Sequence, residues 1–226
     1  MTVEQPVLGP SRIGTVGKKI AILGGGGTAV DFAEAAQAAG NEVLGFLKDS
    51  GGEETFPILG SMADWKKLPG STLFFCAFGS TKSYRLRLEV LDRLGIPAAR
   101  FATLLHPLAA VSPSATLAVG CGVLAFASLG ARVHLGEHVE ILQSCVIGHD
   151  GFIADGAIVA GGANLAGGVQ VGRSVYIGAG ACIRNGVVVR EGALVGMNST
   201  VIRDVPAGAV VAGSPARPVT ERIKSR

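Results

Sequence analysis

Residues 147–171 read IGHDGF, IADGAI, VAGGAN, LAGGVQ and V, four blocks of six that each open on an aliphatic side chain. The spacing continues in both directions. Val111, Leu117, Val123, Leu129, Leu135, Ile141, Ile147, Ile153, Val159, Leu165, Val171, Ile177, Ile183, Val189, Val195 and Val201 form one unbroken series. The residue four places after each of these is small or Val throughout, from Ala115 to Val205. A fixed short period is the mark of a repeat architecture.

Six does not match the helical period of 3.6, so the stripe is not a set of amphipathic helices. It suits a short strand followed by a tight turn. Gly156, Gly162, Gly168, Gly180, Gly186 and Gly192 recur at or near the corners, where glycine tolerates positive φ. The hexads therefore predict the sides of a parallel β-helix with a buried aliphatic column along each side.

The rest of the composition agrees with a solenoid. Of 226 residues, 48% are hydrophobic but only 5% aromatic, and 34 are glycine. The mean hydropathy of +0.45 reflects buried columns and subunit contacts, because no stretch has the roughly 18 to 20 apolar residues of a membrane span. A net charge of +3 without a dense Lys/Arg run argues against nucleic acid. Cys76, Cys121, Cys145 and Cys182 make no CxxC pair, which weakens zinc and disulfide readings; Cys121 and Cys145 fall in the small-residue column and read as packing. Residues 1–17 lack the apolar core of a signal peptide and read as a loose arm or an added extension, with the cytoplasm as the default location.

The periodicity starts near residue 106, so two domains are expected, 18–105 and 106–226, the second including a carboxyl-terminal tail. In the first, 19–23 is a short apolar strand running into Gly24-Gly25-Gly26-Gly27. A helix is predicted over 28–39 with Gly40 as its C-cap. Strands follow over 42–47 and 73–77, and a helix from about 81 to 94. This is an α/β domain with a small parallel Rossmann-like βαβ sheet. Gly24, Gly26 and Ala29, with Asp49 about twenty residues on, mimic a dinucleotide fingerprint. Three readings stand at this turn: full dinucleotide binding, capture of the diphosphate or base of a nucleotide-sugar at a helix N-terminus, or a tight turn for packing.

The hexads resemble the hexapeptide acyltransferases, and the resemblance implies a left-handed β-helix that spends three hexads on each coil, a little over five coils here. A βαβ domain ahead of such a prism looks like the bacterial sugar acetyltransferases, which include sialic acid O-acetyltransferase and the N-acetyltransferases of the UDP-bacillosamine and GDP-perosamine pathways. The matching segments are Ile22 to Gly27, Gly45 to Asp49, Ala77 to Ser80 with Arg85, and His106-Pro107 leading to Val111-Ser112-Pro113-Ser114-Ala115. The resemblance implies an acetyl-CoA-dependent, metal-free transferase, trimeric, acting on a nucleotide-activated sugar in cell-surface polysaccharide synthesis. It implies that Gly24, Gly26, Gly27, Thr28, Lys48, Asp49, Gly79, Ser80 and Arg85 hold the sugar nucleotide.

A coil of three hexads turns the sequence into a ruler. It stacks His149 between Ala131 and Gly167, with Asn185 beyond. A histidine with small neighbours at a corner has room beside it for a ligand, and imidazole is the usual general base near neutral pH. Asp150 is placed to fix its tautomer. His134 and His138 are expected to be solvated, and His106 to be structural. His149-Asp150 also matches the family's His followed by an acidic residue, where the His is the proposed base. The resemblance further implies that the Gly167 N–H binds the thioester carbonyl of acetyl-CoA, with Gly168, Asn185, Met197, Gly213 and Pro215 lining the CoA channel.

The expected activity is transfer of acetyl from acetyl-CoA to an amino group of a nucleotide-linked sugar. O-acetylation of a sialic-acid-like sugar and a non-catalytic nucleotide-sugar-binding role are the alternatives. The chain has Gly27-Thr28-Ala29 where relatives carry Gly-His-Gly, Ile158 where a second histidine is common, and Gly151 where Cys is frequent. The first two departures bear on the acceptor. A γ-type carbonic anhydrase would need three converging histidines, and His134, His138 and His149 lack that spacing.

Overall fold

The computed structural model describes residues 14–49 and 55–219. Most of the expected amino-terminal arm, residues 1–13, lies outside them, as do 220–226 of the tail. Residues 14–17 are held rather than loose. The Thr15 N–H donates to Thr103 O at 2.7 Å, and Asn41 Nδ2 donates to Thr15 O at 2.7 Å.

The first domain is a four-stranded, wholly parallel sheet in the order β3-β2-β1-β4, formed by β1 (Lys19–Leu23), β2 (Glu42–Leu47), β3 (Ile58–Gly60) and β4 (Leu73–Cys76). Both faces are apolar, as a covered parallel sheet requires. Ile20, Ile22, Phe46 and Phe75 pack on Phe32, Ala33 and Ala36 of α1 (Gly27–Ala38). Ala21, Leu23, Leu47, Phe74 and Cys76 pack on Leu88 and Leu91 of α2 (Arg87–Leu94). The α1 terminus closes in a Schellman arrangement: the Gly40 and Asn41 N–H groups bond Gln37 O and Ala36 O, with Gly40 at φ +80°. Two expectations need correction. The second helix begins at Arg87, after a 3-10 turn at Tyr84–Leu86, rather than near 81. Strand β3, at three residues too short to show any periodicity, adds a fourth strand.

From Leu104 onward the chain winds as a left-handed parallel β-helix of about six turns. Its first strand, Leu104–Leu105, pairs with Gly122–Val123 two residues ahead of the expected boundary. Between the strands from Leu104 to Val201 every pairing steps by three hexads, as in His134 with Phe152 and Phe152 with Gln170, and the last coil is shorter, pairing Leu194 with Val210. The aliphatic series and its small partners line the interior: Leu117, Val123 and Ile141 are at most 3% exposed.

The corner geometry is as periodic as the core. From Gly120 to Asn198 the fourth residue of every hexad has positive φ, in seven glycines and in Phe126, Arg132, His138, Ser144, Asp150, Ser174 and Asn198. A side-chain-bearing residue costs on the order of 1 kcal/mol there. Most of these corners offset that cost with a hydrogen bond from the corner N–H to a carbonyl of the preceding coil, as from Asp150 to Ala131 at 2.9 Å and from Gly168 to His149 at 2.8 Å.

The prism presents three faces. The face bearing Gly122, Glu140, Ile158 and Tyr176 is covered by the first domain. Gly122 is required by that packing, since a Cβ there would collide with the Phe32 and Phe75 rings. Arg87 rivets the two domains. It is 1% exposed, ion-paired with buried Glu140, and donates to Phe78 O at 2.7 Å and Gly156 O at 2.9 Å. Burial pushes the Glu140 carboxyl up to about 7, against the pull of Arg87. Cys121 and Cys145 are buried, and burial raises their thiols to about 12 and about 11, so they stay protonated and inert.

Candidate active site

Most of the expected residues fall in two places, one in the first domain and one on the prism. The first is a cleft of about 290 Å³ at the carboxyl ends of β1, β2 and β4, lined by Gly24 to Thr28, Lys48, Asp49, Met62, Ala77 to Ser80 and Ser83. Gly24 has φ +122°, and a Cβ there would lie 2.8 Å from Ala77 O, so glycine lets the ends of β1 and β4 meet. Helix α1 then starts at Gly27 with no side-chain cap on Gly26 and no acidic residue in its first turn. The Gly27 and Thr28 N–H groups make no hydrogen bond among the described residues. Free amides at the positive end of a helix dipole form an anion site. The Lys48 side chain lies along Gly25, and Asp49 Oδ1 accepts the Met62 N–H at 2.9 Å.

Gly24, Gly26, Gly27, Thr28, Lys48, Asp49, Gly79 and Ser80 therefore converge as expected. Arg85 does not. Its Nε donates to Gly192 O at 2.8 Å and its Nη2 to Gly208 O at 3.0 Å, so it fastens the first domain to the prism. Gly25, Met62, Ala77, Phe78 and Ser83 line the cleft without being among the expected residues. Met62 enters only because the chain turns back after β3, which no local pattern signals; Gly25, Ala77 and Phe78 lie in the same two turns as expected residues.

The second place is the prism edge opposite the covered face. His149 follows the strand Val146–Ile147 and Asp150 precedes Phe152–Ile153, so both sit where the two uncovered faces meet. His149 Nδ1 is 2.7 Å from Asp150 Oδ2, and the His149 side chain is 65% exposed. Arg132, one coil earlier, grips the same carboxylate with Nε to Oδ1 at 2.6 Å and Nη2 to Oδ2 at 2.9 Å. The Arg132 guanidinium, and then His149, hold the Asp150 carboxyl well below the usual range. In the next coil Gly167 lies under the imidazole, where a Cβ would come within 2.5 Å of His149 Nε2. The Gly167 N–H makes no hydrogen bond among the described residues. Exposed imidazole, oriented carboxylate and free amide together can take a proton and stabilise a developing oxyanion. Arg132 could have been found in the sequence by stepping one coil back from Asp150.

Gly168 and Asn185 continue the His149 edge, while Met197 occupies a different one, between the covered face and the face bearing Val146 and Thr200. Gly213 and Pro215 join Met197 rather than His149: the Gly213 N–H donates to Ser199 Oγ at 3.2 Å, and the Thr200 N–H to Gly213 O at 3.0 Å. The expected CoA residues thus form two groups on neighbouring edges.

The other histidines correct an expectation. His138 is not solvated: it is 7% exposed, packs edge-on to Phe101, and its Nδ1 has no hydrogen-bond partner among the described residues. Burial and then Arg87 lower its pKa to about 4. His134 is half-buried, with Nδ1 2.5 Å from Thr116 Oγ1. His106 Nδ1 accepts the Leu108 N–H at 3.1 Å, a turn contact that suits a structural role. Among the described residues no group of three or more His, Cys, Asp or Glu could hold a metal ion, and no helix is long and apolar enough to cross a membrane.

No protein-family model and no curated protein sequence matches the chain. Solved structures do. The acetyltransferase domain of PglB from Neisseria gonorrhoeae FA1090, in complex with acetyl coenzyme A, is 31% identical with a TM-score of 0.79, over 90% of this chain and 100% of that one. PerB from Caulobacter crescentus, in complex with CoA and GDP-perosamine, is 27% identical with a TM-score of 0.79, over 92% of this chain and 99% of that one. WeeI from Acinetobacter baumannii AYE, at 21% identity and a TM-score of 0.74 over 89% of this chain and 100% of that one, shares the fold.

Proposed function

We propose, from the premise that the chain belongs to the hexapeptide-repeat sugar acetyltransferases and is an acyltransferase using acetyl-CoA, that it acetylates an amino group of a nucleotide-linked amino sugar. The observation that carries this reading is the exposed His149–Asp150 pair over the free Gly167 N–H. Relatives solved with acetyl coenzyme A, and with CoA and GDP-perosamine, support it.

The sugar nucleotide binds in the Gly24–Ser80 cleft, with its diphosphate against the Gly27 and Thr28 amides. The acceptor amine attacks the thioester carbonyl. His149 Nε2 takes the amine proton while Asp150 holds Nδ1. The Gly167 N–H donates to the oxyanion, which collapses to the amide as the C–S bond breaks, and the leaving thiolate takes the proton that His149 holds, which restores the neutral imidazole. No acyl-enzyme is required.

One chain does not bring these parts together, because the first domain covers the face opposite the His149 edge. A ring of three copies resolves this by setting the cleft, and the edge bearing Met197, Gly213 and Pro215, of one copy against the His149 edge of the next. Homotrimer and intersubunit site are therefore part of the proposal. Exposed Leu108 and Phe126 on the Met197 edge, and exposed Val146 on the uncovered face beside it, support it. A cytoplasmic location goes with the need for acetyl-CoA.

The test is thiol release from acetyl-CoA with a panel of UDP-, GDP- and dTDP-linked amino sugars, with product analysis. N-acetylation of one member is expected. Turnover only with hydroxyl acceptors would move the assignment to O-acetylation, and none with any sugar would remove the transferase reading. Sedimentation that finds an active monomer would overturn the intersubunit site.

A further inference from the structure

Asp150 serves two partners, and one of them has no part in the proton transfer described above. Its Oδ2 meets both His149 Nδ1 at 2.7 Å and Arg132 Nη2 at 2.9 Å, while Oδ1 takes Arg132 Nε at 2.6 Å. We infer that Arg132 is a positioning residue of this site, clamping the Asp150 carboxylate so that it fixes the Nδ1-protonated form of His149 and leaves Nε2 free to accept a proton. The inference rests on His149 acting as the base.

Three features of the fold support it. Arg132 and Asp150 occupy the same place in successive coils, and both have left-handed φ, +56° and +59°. Their side chains therefore leave the edge in parallel, and the guanidinium meets the carboxylate in a two-pronged contact, which sets angle as well as distance. The Arg132 backbone is itself tied, its N–H donating to Ser114 Oγ at 3.0 Å in the coil before. A continuous line of contacts thus runs up the edge from Ser114 through Arg132 and Asp150 to His149.

Stability does not account for the pair. Arg132 and Asp150 are 62% and 45% exposed, and exposed ion pairs contribute little to folding. Orientation and charge sharing remain. A carboxylate with only an imidazole beside it would direct its full charge at the ring and favour the protonated form, which cannot act as a base. With the guanidinium bound, that charge is shared. The other charged groups on this edge are Arg184 and, further along, Arg203 and Asp204; Asp204 is engaged with the Val188 N–H at 2.9 Å and Arg190 at 4.0 Å. On the adjoining face His134 is bound to Thr116.

The test uses the full-length protein with Arg132→Gln and Arg132→Lys. ¹⁵N NMR of the imidazole nitrogens reads the His149 tautomer without reference to activity, and the pH profile of kcat/KM reads its use. For Arg132→Gln we expect mixed His149 tautomers, an acid limb moved to higher pH, and kcat lower by about threefold to tenfold with the acetyl-CoA KM within about twofold. Arg132→Lys should restore part of the rate. Unchanged tautomer and unchanged acid limb in Arg132→Gln would overturn the inference. If the tautomer shifts while His149→Ala keeps the wild-type rate, the clamp stands and the reading of His149 as base falls.

Discussion

The His149 imidazole lies over Gly167 in the next coil so closely that a Cβ on Gly167 would come within 2.5 Å of Nε2. The absence of a side chain at one corner is thus what lets the ring at the preceding corner stand where it does. Replacing His149 by Ala removes the proposed base, and kcat should fall by about 10²-fold or more. A rate near wild type in the thiol-release assay would remove His149 from the mechanism.

Gly167→Ala tests the relationship from the other side. Gly167 is not among the positive-φ residues, so alanine is not strained there and thermal stability should hardly change. The added methyl must push the imidazole aside, and a displacement of that order costs about 10- to 100-fold in kcat. A fully active Gly167→Ala protein would show that the ring does not work from this position.

The diphosphate site makes a separable prediction. Thr28 lies in the first turn of α1, beside amides that no described residue engages. In Thr28→Asp a carboxylate would take the place of the anion those amides attract. The KM for the sugar nucleotide should rise about tenfold, equivalent to about 1.4 kcal/mol, while the KM for acetyl-CoA stays within about twofold. Equal changes in both would place the helix terminus outside the sugar site.

The parts of this site that were readable in the sequence are those that obey a period. His149, Gly167 and Asn185 share a column because three hexads make a coil, as the pairing of Val146 with Asn164 bears out. What escaped depends on contacts between elements without periodicity. Arg85 resembles a ligand-binding arginine in sequence, yet Tyr84 and Gly192 fix it to the prism. His138 sits at a prism corner too, and Phe101 of the docked first domain and Gly120 of the preceding coil pack against its ring and bury it. Met197 is outward as expected, but its edge follows from counting faces rather than residues.

The domain junction depends on a buried charge. Arg87→Ala would leave Glu140 without its partner, and the Phe78 and Gly156 carbonyls without their donor. Uncovering a buried ion in this way costs about 3–5 kcal/mol. Trp65, the single tryptophan, packs against Phe74 in the first domain, so its fluorescence during urea unfolding reads the loss. The double replacement Arg87→Met with Glu140→Leu should recover much of it, because an apolar pair of similar volume removes the charge altogether. No recovery would mean that the hydrogen bonds to the carbonyls dominate.

His138 gives the protein an acid sensitivity that can be isolated. Its pKa falls from 6.5 to about 4 on folding, through burial first and the Arg87 charge second. The unfolded chain therefore binds a proton that the folded one refuses between those values. The associated stability is present above about pH 6.5 and is lost as pH falls toward 4, in total about 3 kcal/mol. Glu140 acts in the opposite sense. Burial raises its carboxyl from 4.5 to about 7, so its contribution is full below about 4.5 and is lost as pH rises toward 7. The two slopes oppose each other, and the wild-type profile alone does not separate them. His138→Asn, which tolerates the +56° φ at this corner, keeps the Glu140 slope and removes that of His138. The stability of wild type relative to His138→Asn should therefore fall by about 2.5 kcal/mol from pH 7.5 to pH 4.5. A difference independent of pH would mean that His138 is not buried in its neutral form.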